Sequence, residues 1–264
     1  MRFYRIALRG LILWLGFFAS VAFAAPNDVG IILMHGKWDE RPFHTNSLAS
    51  ALEKAGYRVV QPTMTWGGAR KYDVDYQKTL MEIDAEAEKL RAAGAKYILV
   101  GGMSFGANGA FAYAGAGHKV DGVIAIAPGH IPDAKGWIKK FGKAYQKARK
   151  MVDAGKGEDK ASFEDPNSGG RSQSISMRAK VYASFFDPKG LASMEKSASS
   201  FPQPLPVLVV IGKKDPGIRY ANNLLLPAIL THPKNSVVEV NAGHLDAISE
   251  GLQATVQWVN DLGY

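Results

Sequence analysis

The stretch Tyr97-Ile-Leu-Val-Gly-Gly-Met-Ser-Phe-Gly106, followed by Ala107 to Ala114, decides the reading of this chain. Tyr97 to Val100 is a short apolar run that reads as a buried strand, and Ala107 to Ala114 begins a helix. Between them lies Gly102-Met103-Ser104-Phe105-Gly106. A serine on so sharp a strand-to-helix turn is held in a strained backbone conformation, and glycines two residues to either side leave it room. The helix that follows aims its first N–H groups and the positive end of its dipole at the serine, where an anion would be stabilised. Glycine and serine are common, so the pattern gains weight only from the strand before it and the helix after it. The competing reading is a glycine-rich turn with a capping serine. A phosphate cradle fits poorly, because no Gly-Lys-Ser/Thr ending is present.

Outward from this turn the chain alternates strands and helices. Val29 to Met34 has a buried-strand pattern, Ser47 to Ala55 a helical one closed by Gly56, and Tyr57 to Gln61 a strand ended by Pro62. Asp73 to Ala93 carries Leu80, Ile83, Ala87 and Leu90 on one helical face. Gly122 to Ile126, Val207 to Ile211 and Val237 to Val240 read as further strands, and Leu252 to Leu262 as a closing amphipathic helix. Strands that are continuously apolar and alternate with helices predict a mostly parallel sheet of about six strands, with helices on both faces.

Residues from Gly129 to Pro206 break this rhythm. Ile138, Phe141, Tyr145, Ala148 and Val152 form an apolar stripe among lysines and arginines, as in an amphipathic helix. Gly155 to Ser176 reads as a mobile loop, and Met177 to Ser200 as a second helical stretch. The whole is expected to be a helical cap inserted at about 130–204. Its basic helix packs on the body of the protein or makes weak contact with a membrane surface.

The N-terminus stands apart. Arg2, Arg5 and Arg9 precede an apolar run from Leu11 to Val21, and Ala22-Phe23-Ala24 gives a small-x-small cleavage pattern. These features predict a Sec-type signal peptide over 1–24, cleaved after Ala24, with export to the periplasm or outside the cell. The run is short for a membrane span. Residues 25–264 then form one domain with an inserted cap. The chain has 264 residues, 47% of them hydrophobic, enough for a full core without disulfides, and 0 Cys excludes thiolate chemistry and cysteine metal sites. Loss of three signal arginines takes the formal charge from +8 to +5. That modest balance comes without a basic recognition motif, so nucleic acid is not an expected partner. No His/carboxylate motif such as H-E-x-x-H is present, and neither metal nor cofactor is expected.

A serine alone is a weak nucleophile; it needs a base, and the base needs an orienting acid. Asp215 follows the strand ending at Ile211, in Gly212-Lys-Lys-Asp215-Pro-Gly217, and His244 follows the strand ending at Val240, in Asn241-Ala-Gly-His244. In a parallel sheet these loops share one edge with Ser104, where ligands bind. Asp215 is also a natural turn residue before Pro-Gly. Asp133 is a rival acid, His35 reads as structural, and His130 reads either as facing the pocket beneath the cap or as a solvated loop residue. His44, His118 and His232 have no partner evident from sequence.

With Leu33-Met-His-Gly36, the Gly102 to Gly106 turn, the Gly-Lys-Lys-Asp215 loop and Ala-Gly-His244, the sequence resembles the α/β-hydrolase superfamily, its bacterial capped members in particular. The resemblance runs from Val29 to the C-terminus. It implies that Ser104, Asp215 and His244 act as nucleophile, acid and base, in the chain order usual for that fold. It also implies an oxyanion hole made by the backbone N–H of Lys37 or Trp38 and that of Phe105. The chain lacks the glycine run of some esterases, which leaves the shape of that hole open. The expected activity is acyl transfer to water from a small-molecule ester, with amide, peptide or thioester hydrolysis as the runner-up. Transfer to another acceptor, or non-catalytic binding through the basic cap, are the competing readings. Trp137, Phe141 and Tyr145 are expected to line an acyl pocket or to belong to plain core. The oligomeric state has no signature in the sequence.

Overall fold

The computed structural model describes residues 26–40, 42–167 and 170–264. The expected signal peptide lies outside them. Six strands form one sheet: β1 (Val29–Met34), β2 (Arg58–Val60), β3 (Tyr97–Met103), β4 (Gly122–Ile126), β7 (Val207–Gly212) and β8 (Ser236–Val240). Their order is β2-β1-β3-β4-β7-β8. Every pairing is parallel, so the sheet is wholly rather than mostly parallel. The central strands β1, β4 and β7 are buried along their whole length, which is why they read as unbroken apolar runs.

Helices cover both faces. On one side α1 (Asn46–Lys54) and α7 (Leu252–Leu262) bury Leu48, Leu52, Trp258 and Val259 against Ile31, Leu33, Leu99 and Leu208. On the other, α2 (Tyr76–Ala92) and α3 (Phe105–Gly115) bury Leu80, Ile83, Phe105 and Phe111 against Ile32, Val100 and Val123. Helix α2 starts three residues later than the periodicity predicts, because the Asp75 carboxylate caps it by accepting from Lys78 N–H at 2.9 Å.

Between β4 and β7 the chain inserts α4 (Lys135–Asp153), an antiparallel hairpin of β5 (Lys160–Pro166) and β6 (Ser172–Arg178), α5 (Ala179–Phe186) and α6 (Met194–Ser199). The insert is therefore mixed rather than helical. The loop expected over Gly155 to Ser176 is replaced in large part by the hairpin, whose alternation is real but diluted by serines and charges. Phe163 and Met177 are buried on its inner face, while Ser162 and Glu164 face water. The long helical stretch expected from Met177 to Ser200 is divided. Asp187 precedes Pro188 and takes an extended conformation, ψ 116°, and its carboxylate accepts from Lys189 N–H at 2.8 Å. Helix α5 buries Val181, Tyr182, Phe185 and Phe186 in the main core. Among the described residues no helix is long and apolar enough to cross a membrane.

The carboxyl ends of β1, β3, β4, β7 and β8 all open on one edge. The loops leaving them carry Lys37, Ser104, Gly129, Asp215 and His244 in turn.

Candidate active site

Ser104 sits at the junction of β3 and α3 with φ 56° and ψ −113°. This is a left-handed, disfavoured conformation for a residue with a Cβ. It is held on both sides: Ser104 N–H donates to Ile126 C=O at 2.9 Å, and Gly129 N–H donates to Ser104 C=O at 3.2 Å. The flanking glycines are required by close approach to β1. A Cβ on Gly102 would lie 2.3 Å from the Met34 carbonyl oxygen, and one on Gly106 would lie 2.2 Å from it. The crowding is thus against the neighbouring strand as well as between the two glycines themselves.

His244 and Asp215 come to the same place from β8 and β7. Asp215 is 2% exposed and Ser104 8%. The Asp215 Oδ2 to His244 Nδ1 distance is 2.7 Å, and His244 Nε2 lies 3.0 Å from Ser104 Oγ. A carboxylate only accepts, so Nδ1 carries the proton and Nε2 offers its lone pair to the hydroxyl. The other Asp215 oxygen accepts from Gly217 N–H at 2.7 Å, which fixes the carboxylate plane. Asp133 is placed elsewhere. Its Oδ2 accepts from Ser193 Oγ at 2.8 Å and from Tyr220 OH at 2.7 Å, and burial raises its pKa.

The loop after β1 is pinned from several directions. His35 donates from Nδ1 to Gly36 C=O at 2.8 Å and accepts at Nε2 from Met64 N–H at 2.9 Å, so it is a neutral structural brace, and burial lowers its pKa. Trp38 has φ 68°, and its N–H is committed to Trp66 C=O at 3.3 Å. Of the two backbone N–H groups that the resemblance offered in this loop, that of Trp38 is therefore engaged within the protein. Phe105 opens α3, so its N–H belongs to the first turn, where no intrahelical acceptor exists.

Sequence reasoning used only the backbone of Lys37, yet its side chain is buried. Lys37 Nζ donates to Asp165 Oδ1 at 2.7 Å and to Pro166 C=O at 2.8 Å. Trp38 Nε1 donates to Asp165 Oδ2 at 2.6 Å, and Tyr72 OH to Oδ1 at 3.1 Å. Burial pushes the Lys37 pKa down while the Asp165 carboxylate pushes it back up. Asp165 had no signal in the sequence, being an ordinary acid in a polar stretch 128 residues from Lys37.

His130 is buried rather than solvated. Its ring stacks on Phe105 with centroids 3.8 Å apart, and Nε2–H donates to Phe185 C=O at 2.7 Å. Burial, reinforced by the nearby Lys37 charge, lowers its pKa well below the usual histidine range. His44 and His118 pair with Asp39 and Asp84, and His232 Nδ1 accepts from Lys234 N–H.

A cavity of about 320 Å³ opens over Ser104 and His244, walled by Gly36, Trp38, Asp39, His44, Asn167 and Arg171. Trp137, Phe141 and Tyr145 are not among its walls. Trp137 and Tyr145 pack on the main core, and Phe141 packs on Trp137, with ring centroids 5.2 Å apart; Trp137 in turn lies 5.5 Å from His130. Among the described residues no group of three or more His, Asp or Glu could hold a metal ion.

Six parallel strands in this order, with helices on both faces and a strained serine where the third strand meets its helix, define the α/β-hydrolase fold, and this chain has it. Among solved structures it is similar to that reported with LipS and LipT, two metagenome-derived lipolytic enzymes, at TM-score 0.62 and 15% identity over 92% of this chain and 96% of the other. It is similar to the esterase domain of a Rhodothermus marinus protein at TM-score 0.58 and 18% identity, covering 89% and 87%. Mouse alpha/beta hydrolase domain-containing protein 10 aligns at TM-score 0.59 and 15% identity, covering 88% of each chain. No family model matches the sequence, and no curated protein does.

Proposed function

We propose that the protein is a serine hydrolase that cleaves small carboxylic esters through an acyl-enzyme. The observation that carries this reading is the unbroken series from Asp215 through His244 to a hydroxyl on a strained turn, at 2.7 Å and 3.0 Å. In the reaction His244 Nε2 takes the Ser104 proton as Oγ bonds to the substrate carbonyl carbon, and the carbonyl electrons move to oxygen. The N–H groups of Lys37 and Phe105 hold that oxyanion, while Asp215 holds the imidazolium. Collapse of the adduct expels the alcohol, which leaves with the proton from His244. Water, deprotonated by the same imidazole, then releases the acid and restores Ser104.

The substrate reading follows from the cavity. Its volume is at the small end for ligand sites, and its walls mix Trp38 and Gly36 with Asp39, His44 and Arg171. A compact, partly polar ester suits this space better than a long-chain lipid. Fluorophosphonate should label the wild type and leave Ser104→Ala unlabelled. Across p-nitrophenyl esters, acetyl and butyryl substrates should turn over faster than dodecanoyl. Absence of labelling in folded wild type refutes the hydrolase reading, and a preference for dodecanoyl refutes the substrate reading. The N-terminal features support export, and mass spectrometry of the exported form should find Ala25 as its first residue.

A further inference from the structure

We infer that Asp165, on the inserted hairpin, is a positioning residue for the oxyanion hole: it anchors the loop whose Lys37 N–H is proposed to hold the developing charge. This inference rests on the hydrolase reading. The loop from Gly36 to Trp38 has no regular structure of its own and contains a residue at φ 68°. A segment in such a conformation persists only when its surroundings over-determine it. Much of that determination comes from one carboxylate. Asp165 receives the Lys37 ammonium at 2.7 Å and the Trp38 indole at 2.6 Å, so two of the loop's three residues are tied to the same group by their side chains. Tyr72 supplies a third donor at 3.1 Å.

The ion pair is dry. Its side chains are 2% and 0% exposed, so water cannot compete for either partner. In this low-dielectric setting its geometry is stiff, whereas an exposed pair would be loose. The Lys37 ammonium also lies over the rings of Phe105, at 5.3 Å, and Phe186, at 5.0 Å. Phe105 carries the other proposed oxyanion donor. The side chains of the two donor residues therefore meet beneath the hairpin, and Asp165 sets the position of one against the other. Asp165 does not line the cavity over Ser104, so its removal should disturb the geometry around the oxyanion without removing a substrate contact.

The experiment compares wild type, Asp165→Asn, and the double variant Lys37→Met/Asp165→Asn, in which neither charge is left buried alone. Each is assayed for p-nitrophenyl butyrate turnover, for inhibition by phenylboronic acid, which forms a tetrahedral anion on the serine, and for thermal stability. Asp165→Asn should lower kcat about tenfold or more, a part of what loss of an oxyanion donor costs. KM should stay within about threefold, and the boronic acid should weaken in parallel with kcat. The double variant should regain much of the stability and none of the kcat. If Asp165→Asn does not fold, the double variant alone decides. Wild-type turnover that depends on Ser104, together with a double variant whose kcat is near wild type, overturns the positioning role and leaves the hydrolase reading intact. No Ser104-dependent turnover in the wild type removes that reading and this inference with it.

Discussion

At Gly129 the missing side chain leaves room for the Ser104 hydroxyl beside His244. A Cβ there would lie 2.6 Å from Ser104 Oγ and 3.4 Å from His244 Cε1. Its nearest neighbour is a rotatable side-chain oxygen, so Gly129→Ala should fold, with stability changed by about 1 kcal/mol. It should nonetheless turn the hydroxyl away from the imidazole and cut kcat/KM by about 100-fold, a misplacement effect that steady-state kinetics will read. Gly106→Ala differs in kind. Its Cβ meets the Met34 carbonyl at 2.2 Å, and backbone cannot rotate aside. That variant should lose about 3 kcal/mol or more in urea unfolding, or fail to express. The glycines flanking Ser104 were legible because they share a local motif with it. Gly129 was not, since only the meeting of the β4 and β8 loops gives it a role.

Among the elements, α3 and the hairpin carry the most information about how the site is held. Helix α3 is buried from Phe105 to Ala114, and its first residue is the hub of an aromatic cluster. Phe105 stacks on Trp66 at 4.5 Å and on His130 at 3.8 Å, and meets Tyr76 and Phe185 edge-on. Phe105→Ala should therefore lose about 3–5 kcal/mol, measurable as a lower urea midpoint, although the backbone N–H survives the change. The strands and helices of the sheet were readable because full burial imposes unbroken apolar runs. The hairpin was not. Only one face of β5 and β6 is buried, and the serines and charges of the other face resemble a loop composition. The divided α5 and α6 were hidden for a related reason: Asp187-Pro188 breaks a stretch whose hydrophobic periodicity continues on both sides.

Over the whole molecule, buried histidines tie stability to pH. His130 and His35 both have pKa values lowered by burial, so the folded protein keeps them neutral where the unfolded chain, with values near 6.5, takes up protons. Their contribution is complete above about 6.5 and is lost as pH falls below it toward the folded-state values. The urea midpoint should accordingly fall between pH 7 and pH 5. His130→Asn, whose side chain tolerates the φ of 59° at this position, should flatten that slope even if its stability at pH 7 is lower. An unchanged slope in the variant would show that His130 does not set the acid sensitivity. Asp133 acts with the opposite sign: its raised pKa favours the folded state at low pH and gives that advantage up as pH rises through the folded value. The wild-type-minus-variant difference isolates the histidine from it.

By itself the sequence determined the strand–helix alternation, the parallel sheet, the elbow at Ser104 and the loops bearing Asp215 and His244. Each of these is written in local patterns of apolarity, glycine and turn chemistry. Only the tertiary structure decided that Asp133 bonds Ser193 and Tyr220, that Trp38 spends its N–H on Trp66, and that the Lys37 side chain is buried on Asp165. These are choices among chemically equivalent partners distant along the chain, and nothing in local spacing ranks one carboxylate above another. Burial ranks them, because a charge or N–H removed from water must find a partner within hydrogen-bond reach, and that reach is set by how the elements pack.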